Sequence, residues 1–132
     1  MEGVETLCLD TDILIDFLRG KIRGRIEQLE EEFQLTTTTI NLFELYYGAF
    51  KTKKEENVKA VDELALRLEA FRFTGESAKL SGEVMAELEE KGQIVNFRDV
   101  MIAGILLEND AKFYTKNVKH FERIKGIKLH RD

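Results

Sequence analysis

The sequence of 132 residues contains no proline, no tryptophan and only one cysteine, Cys8. A lone thiol excludes an internal disulfide, and it fits a protein of the reducing cytoplasm. Because Cys8 lies in an apolar run, residues 4–9, we expect it in the core. No run approaches the roughly 20 apolar residues that a membrane span requires, and the acidic first residues do not resemble a signal peptide. We therefore expect no membrane association.

Positive charge is also in short supply, with 20 Lys and Arg against 25 Asp and Glu and a net charge of −5. Such a balance argues against general binding of a polyanion, since phosphate contacts depend on Lys and Arg. The basic residues are nevertheless concentrated in residues 112–132 and at Lys51, Lys53 and Lys54. On charge alone these are ordinary solvated surfaces, although a local basic patch on an acidic protein stays possible.

Apolar periodicity predicts alternating strands and helices. The predicted strands are residues 4–9, 34–38, 71–73, 112–115 and 127–129. The predicted helices are residues 13–18, 22–33, 41–49, 55–71, 77–91 and 99–107, with Thr74 capping the fifth. The last of these is apolar on every side, which indicates a helix buried all round. Alternation of this kind predicts one α/β domain over residues 1–132, with a mainly parallel sheet between helical layers.

Acidic and amide side chains follow several of the predicted strands. The set consists of Asp10, Asp12, Asp16, Glu44, Asp99 and Asn117. Asp10 comes directly after the first strand, Glu44 lies early in the helix after the second, and Asp99 starts the most apolar helix. Because ligands of parallel α/β sheets bind outside the carboxyl ends of the strands, we expect these three acids to converge. Asp12 and Asp16 are better explained as helix-cap or surface acids.

A cluster of carboxylates is suited to Mg²⁺ or Mn²⁺, which take oxygen ligands. Like charges in apolar surroundings are also costly unless a cation or a proton compensates them. Structural explanations compete with a metal site at each position. Asp99 could be a helix N-cap, Asn41 and Glu44 could form a capping box, and Asp10 could be a turn residue.

Other chemical signals are weak. His120 and His130 have no Cys or His partner at metal-ligand spacing, so zinc is not predicted, and His120 is interpreted as a packing or capping residue. The sequence has neither a glycine-rich phosphate loop nor a nucleophile elbow. Tyr46, Tyr47 and Phe50 are interpreted as core or interface residues rather than a platform for stacking bases.

Four segments resemble, in order, the motifs of the PIN-domain family, and above all its VapC-type toxins. They are LDTDILID at residues 9–16, NLFELYYGA at 41–49, GQI at 92–94 with RDVMIAG at 98–104, and YTKNVKHFERI at 114–124. Each motif is weak alone, but together they extend over nearly the whole chain, from about residue 7 to 129.

This resemblance implies a three-layer α/β/α sandwich and a Mg²⁺- or Mn²⁺-dependent endoribonuclease that cleaves RNA with a metal-activated water. It implies that Asp10, Glu44 and Asp99 are the catalytic, metal-binding acids. It also implies a homodimer and a cognate VapB-like antitoxin. We expect that antitoxin to cover an apolar groove beside residues 40–50 and to insert an arginine among the acids.

Two positions depart from the family pattern. Residue 12 is commonly Asn in these toxins and is Asp12 here, which either adds charge to the site and raises its metal affinity or merely preserves a hydrogen bond. Residue 117 is often acidic in the wider family and is Asn117 here, which argues against a fully occupied second metal position. The supporting residues implied by the resemblance are Asp12, Thr11, Thr115 and Asn117. The candidates for guiding the RNA backbone are Lys116, Lys119 and Arg123.

Three alternatives stay open. A PIN nuclease of RNA processing or of structured DNA would use the same acids, and a catalytically silent PIN-like binding module would keep the fold. A phospho-receiver domain also places acids at strand ends. It usually has an adjacent acidic pair after its first strand, whereas here Thr11 separates Asp10 from Asp12.

Overall fold

Seven helices and five strands make up the part of the chain that the computed structural model describes, residues 3–131. The strands are β1 (Thr6–Leu9), β2 (Gln34–Thr38), β3 (Glu69–Phe71), β4 (Lys112–Tyr114) and β5 (Lys128–Leu129). The helices are α1 (Thr11–Leu18), α2 (Arg23–Glu32), α3 (Thr39–Lys51), α4 (Glu55–Arg67), α5 (Gly75–Glu90), α6 (Phe97–Asn109) and α7 (Val118–Glu122). None of these helices has the length and apolar character needed to cross a bilayer.

The five strands form one sheet in the order β3-β2-β1-β4-β5, and each neighbouring pair is parallel. The chain builds outward from β1 to β2 and β3, then returns to the other side of β1 for β4 and β5. This reversal creates a topological switch point between β1 and β4, where the connections leave in opposite directions and open a crevice. The predicted parallel sheet is confirmed.

Alternate residues of β1 face two different cores. Leu7 and Leu9 pack with buried residues of α1 to α4, whereas Cys8 packs with buried residues of α5, α6 and α7. Helices therefore cover both faces of the sheet, which confirms the three-layer α/β/α fold. Cys8 is fully buried, as expected, and burial raises the pKa of its thiol.

Helix α6 is the buried helix that its apolar sequence predicts, and it packs closely on α5. A Cβ atom at Gly104 would lie 2.0 Å from Ser81 Oγ and 2.3 Å from the Ser77 carbonyl oxygen. Only a glycine allows the two helices to approach this closely.

Several predicted boundaries are wrong, and local hydrogen bonds explain two of them. Helix α3 begins at Thr39, because Thr38 is the N-cap and its Oγ1 accepts from the Asn41 amide at 3.1 Å. The capping box suggested for Asn41 and Glu44 is therefore wrong. Asn96, rather than Asp99, is the N-cap of α6, and its Oδ1 accepts from the Arg98 amide at 2.8 Å.

The third strand and the last helix also differ from expectation. The strand β3 occupies Glu69–Phe71 instead of residues 71–73, because α4 ends at Arg67 and the chain pairs at once with β2. The short helix α7 was not predicted. Its five residues are too few to show a clear helical period in the sequence.

Candidate active site

The three predicted acids meet at the switch point of the sheet. Asp10 follows β1 and is the N-cap of α1, Glu44 lies in the second turn of α3, and Asp99 lies in the first turn of α6. They line one open cleft together with Thr11, Asp12, Ile15, Asn96, Arg98, Lys116, Asn117 and His120. Neither a turn role for Asp10 nor a capping role for Asp99 accounts for this convergence.

Asp10 is the most rigidly held of these acids. It is only 2% exposed, and its backbone N–H continues the β1–β4 pairing by donating to the Tyr114 carbonyl at 2.9 Å. Its Oδ1 accepts from the Thr11 amide at 2.8 Å and from Asn41 Nδ2 at 2.9 Å, and its Oδ2 accepts from Thr115 Oγ1 at 2.6 Å. These donors come from three connections and hold the carboxylate in one orientation.

Arg98 is the largest site feature that the sequence did not predict. Its Nη2 donates to Asp10 Oδ1 at 2.6 Å and to Glu44 Oε1 at 2.9 Å, its Nε donates to Glu44 Oε2 at 3.0 Å, and its Nη1 donates to Asp99 Oδ1 at 3.0 Å. Burial alone would lower the pKa of Arg98, but the carboxylates of Glu44, Asp10 and Asp99 raise it above its ordinary value. The guanidinium therefore stays charged and neutralises part of the cluster. Its position beside Asp99 in the third motif was the available sequence signal.

Glu44 and Asp12 have pKa shifts of opposite sign. Burial raises the pKa of Glu44, but the hydrogen bonds from Arg98 and from Thr11 Oγ1, at 2.6 Å, outweigh it and leave this pKa below its ordinary value. Burial, followed by the charge of Asp10, raises the pKa of Asp12. Asp12 Oδ2 accepts from the Lys116 amide at 3.0 Å, whereas its Oδ1 is buried without a hydrogen-bond partner among residues 3–131.

A second group of polar side chains surrounds Asp99. His120 Nδ1 lies 3.1 Å from Asp99 Oδ2 and 2.9 Å from Asn117 Nδ2. The backbone N–H of Asn117 donates to Thr115 Oγ1 at 3.0 Å. The interpretation of His120 as a packing or capping residue is wrong, because its half-exposed side chain lies in the cleft against an acid of the cluster. The predicted supporting residues Thr115 and Asn117 lie beside the acids as expected.

The three candidate RNA-contacting residues have different surroundings. Lys116 Nζ forms an ion pair with Asp16, and this contact lowers the pKa of Asp16. Asp16 is buried, so it is neither a cap nor a surface acid. Arg123 donates to the carbonyl oxygens of His120 and Ile94, at 3.0 and 2.9 Å, while Lys119 is exposed.

Asn41 is a second site residue whose role the sequence did not reveal. Its amide Nδ2 donates to both Asp10 Oδ1 and Thr11 Oγ1 at 2.9 Å, and its Oδ1 accepts from Thr38 Oγ1 at 2.6 Å. Asn41 is fully buried, and its hydrogen bonds connect Thr38, at the end of β2, to Asp10, which follows β1. The second motif includes Asn41, but nothing in its spacing indicated contact with Asp10.

Comparison with known proteins agrees with this fold. The family model described as PIN domain matches residues 7–127. Ribonuclease VapC2 of Rickettsia felis is 33% identical over 125 residues, covering 92% of this chain and 93% of the relative. The tRNA(fMet)-specific endonuclease VapC of Salmonella typhimurium is 36% identical over 114 residues, covering 82% and 86% respectively.

A solved structure shows the same relationship. The crystal structure of VapBC2 from Rickettsia felis bound to a DNA fragment from their promoter contains a chain that superimposes with a TM-score of 0.86. That chain is 31% identical, and the match covers 95% of this protein and 97% of the neighbour. The chain belongs to the PIN-domain family, among its VapC-type members.

Proposed function

We propose that this protein is a Mg²⁺- or Mn²⁺-dependent endoribonuclease and the toxin of a type II toxin–antitoxin pair. The observation that carries the proposal is the convergence of Asp10, Glu44 and Asp99 around one positive charge at the switch point. The ribonuclease and endonuclease names of relatives that align over most of the chain support the reaction class.

The oxygen donors at the site are of the kind that a divalent metal prefers, although no three His, Cys, Asp or Glu side chains among residues 3–131 are arranged to hold one while Arg98 lies between the acids. Oxygen atoms of three carboxylates already hold a cation, the Arg98 guanidinium, and Asp12 adds a buried oxygen with no partner among the described residues. Hard oxygen donors of this kind are the ligands that Mg²⁺ and Mn²⁺ prefer. Asp10, Glu44 and Asp99 would hold the ion. When bound, it would supply Lewis acidity toward water and compensation for phosphate charge.

The protein contributes orientation and a place for the RNA backbone. Thr115 and Asn41 fix the two oxygens of Asp10, and Thr11 orients Glu44. We assign the phosphates to Lys119, the exposed neighbour of the cleft residue His120, and to Arg123, and Lys116 would have to leave Asp16 to join them. Such contacts would offset the repulsion between RNA and the acids.

We further propose a VapB-like antitoxin and a homodimer in the cytoplasm. Solved relatives are described as VapBC complexes, which supports such a partner. The apolar groove between α1, α3 and α4 is the surface we assign to it, with Ile15, Leu45 and Val61 among its lining residues. Tyr47 and Phe50 are exposed on α3, which supports their interpretation as interface residues.

The test is cleavage of an RNA pool that includes tRNA(fMet), with Mg²⁺, Mn²⁺ or EDTA. We expect the wild-type protein to cut only with metal, and Asp99→Asn to be inactive. Asp110→Asn is the matched control, because it removes a charge outside the cleft at a left-handed residue (φ 49°) that Asn tolerates. Equal cleavage by wild type and Asp99→Asn would mean that the site is wrong. Undiminished cleavage in EDTA would exclude the metal.

A further inference from the structure

The side chain of Arg98 bridges the three carboxylates that would hold the metal. It starts in the first turn of α6, next to Asp99, and crosses the cleft to Glu44 and Asp10. Its Nε, Nη1 and Nη2 all donate to carboxylate oxygens, and its side chain is 24% exposed. A charged, multidentate contact of this kind is among the stronger polar interactions in proteins.

The oxygens that bind Arg98 are those that a metal would need. The guanidinium donates hydrogen bonds to Asp10 Oδ1, to both oxygens of Glu44 and to Asp99 Oδ1. The remaining oxygens, Asp10 Oδ2 and Asp99 Oδ2, face Thr115 and His120. A carboxylate oxygen can accept a hydrogen bond and bind a metal at once, so Arg98 does not bar a metal from any single oxygen. A metal held by all three acids would, however, lie between them, where the Arg98 guanidinium lies. Arg98 and a metal bound by all three acids therefore compete for the same position.

Arg98 also compensates charge in the metal-free protein. Arg98 forms ion pairs with both buried acids, Asp10 and Asp99, and with Glu44. Buried like charges that lose such a partner are strongly destabilising. The neighbours Asn96 and Phe97 are exposed at the edge of the cleft. A displaced Arg98 side chain, which is already 24% exposed, would turn toward this edge of the cleft.

We propose that Arg98 is a tethered counter-cation that stabilises the metal-free site and must be displaced when the metal binds. The proposal rests on the metal dependence proposed above. It makes the apparent metal affinity equal to the affinity of the free carboxylates multiplied by the fraction of molecules in which Arg98 does not occupy them. It also keeps a positive charge at the edge of the cleft after displacement.

The first experiment measures Mn²⁺ binding by calorimetry for the wild-type protein, Arg98→Gln and Arg98→Lys. We expect Arg98→Gln to lower Kd by about tenfold or more, as for a competing side chain that occupies at least nine-tenths of the molecules. The Kd of Arg98→Lys should lie between those of the wild type and Arg98→Gln, because lysine keeps the charge but cannot bridge three carboxylates. Arg67→Gln is the matched control, since the contacts it breaks, the exposed ion pair with Glu30 and the cation–π contact with Phe17, lie outside the cleft.

The second experiment measures thermal unfolding in EDTA and in Mn²⁺, and it remains informative if a variant is unstable. In EDTA, Arg98→Gln should have a lower melting temperature than the wild type. Mn²⁺ should raise the melting temperature of Arg98→Gln more than that of the wild type, because a ligand that binds only the folded state stabilises that state. Unchanged or weaker Mn²⁺ binding by Arg98→Gln, with normal binding by the wild type, would overturn the role of Arg98 alone. Absence of Mn²⁺ binding in all variants would overturn it together with the proposed metal dependence.

Discussion

The hydroxyl of Thr115 offers a direct test of how the protein holds Asp10. Thr115 is buried, and its Oγ1 donates to Asp10 Oδ2 at 2.6 Å and accepts from the Asn117 amide at 3.0 Å. Thr115→Val keeps the shape and replaces the hydroxyl with a methyl group. Because a hydrogen bond to a charged group contributes about 1.5–3 kcal/mol, we expect the free energy of unfolding to fall by about 2 kcal/mol.

This loss is measurable by urea denaturation at pH 7 in EDTA. The midpoint should fall with no change in the slope m, since the same surface becomes exposed on unfolding. In a thermal melt the change corresponds to roughly 6–10 °C for a chain of this length. Thr115→Ser is the control, because it keeps the hydroxyl, and its free energy of unfolding should fall far less. If the free energy of unfolding of Thr115→Val were within about 0.5 kcal/mol of the wild-type value, the reasoning would be refuted, because even ordinary surface substitutions cause changes of that size.

Three further predictions concern packing, charge and RNA. Gly104→Ala should destabilise the protein by about 3 kcal/mol in urea, because its Cβ meets α5 backbone. Gly48→Ala, which meets nothing within 4 Å, should not destabilise it. Asp12→Asn should raise stability at pH 7, because the raised pKa of Asp12 makes its charged form unfavourable in the folded state. That gain should vanish below about pH 3.9, where Asp is protonated even when unfolded; a gain that persists there would exclude this cause. Lys119→Ala should reduce the salt dependence of RNA binding by about one phosphate contact, and an unchanged slope would remove Lys119 from the RNA-binding surface.

The positions of the acids could be predicted because they depend on local pattern. A strand that ends at Leu9 places Asp10 at the edge of the sheet, and the same logic placed Asn117 after the strand that follows α6. Periodicity also located the buried helix α6. The first residues of α3 and α6 were harder to predict, because several neighbouring polar residues could serve as the N-cap as well as Thr38 and Asn96.

The sequence by itself determined the α/β class, the family and the order of Asp10, Glu44 and Asp99 along the chain, since periodicity and motifs are local properties. Only the tertiary structure decided the strand order, and with it which strand ends meet at the switch point. It also decided the partners of Arg98, which lies 54 residues from Glu44 and 88 from Asp10 along the chain. Such contacts are set by how the helices pack across the sheet, and no local pattern of residues encodes that geometry.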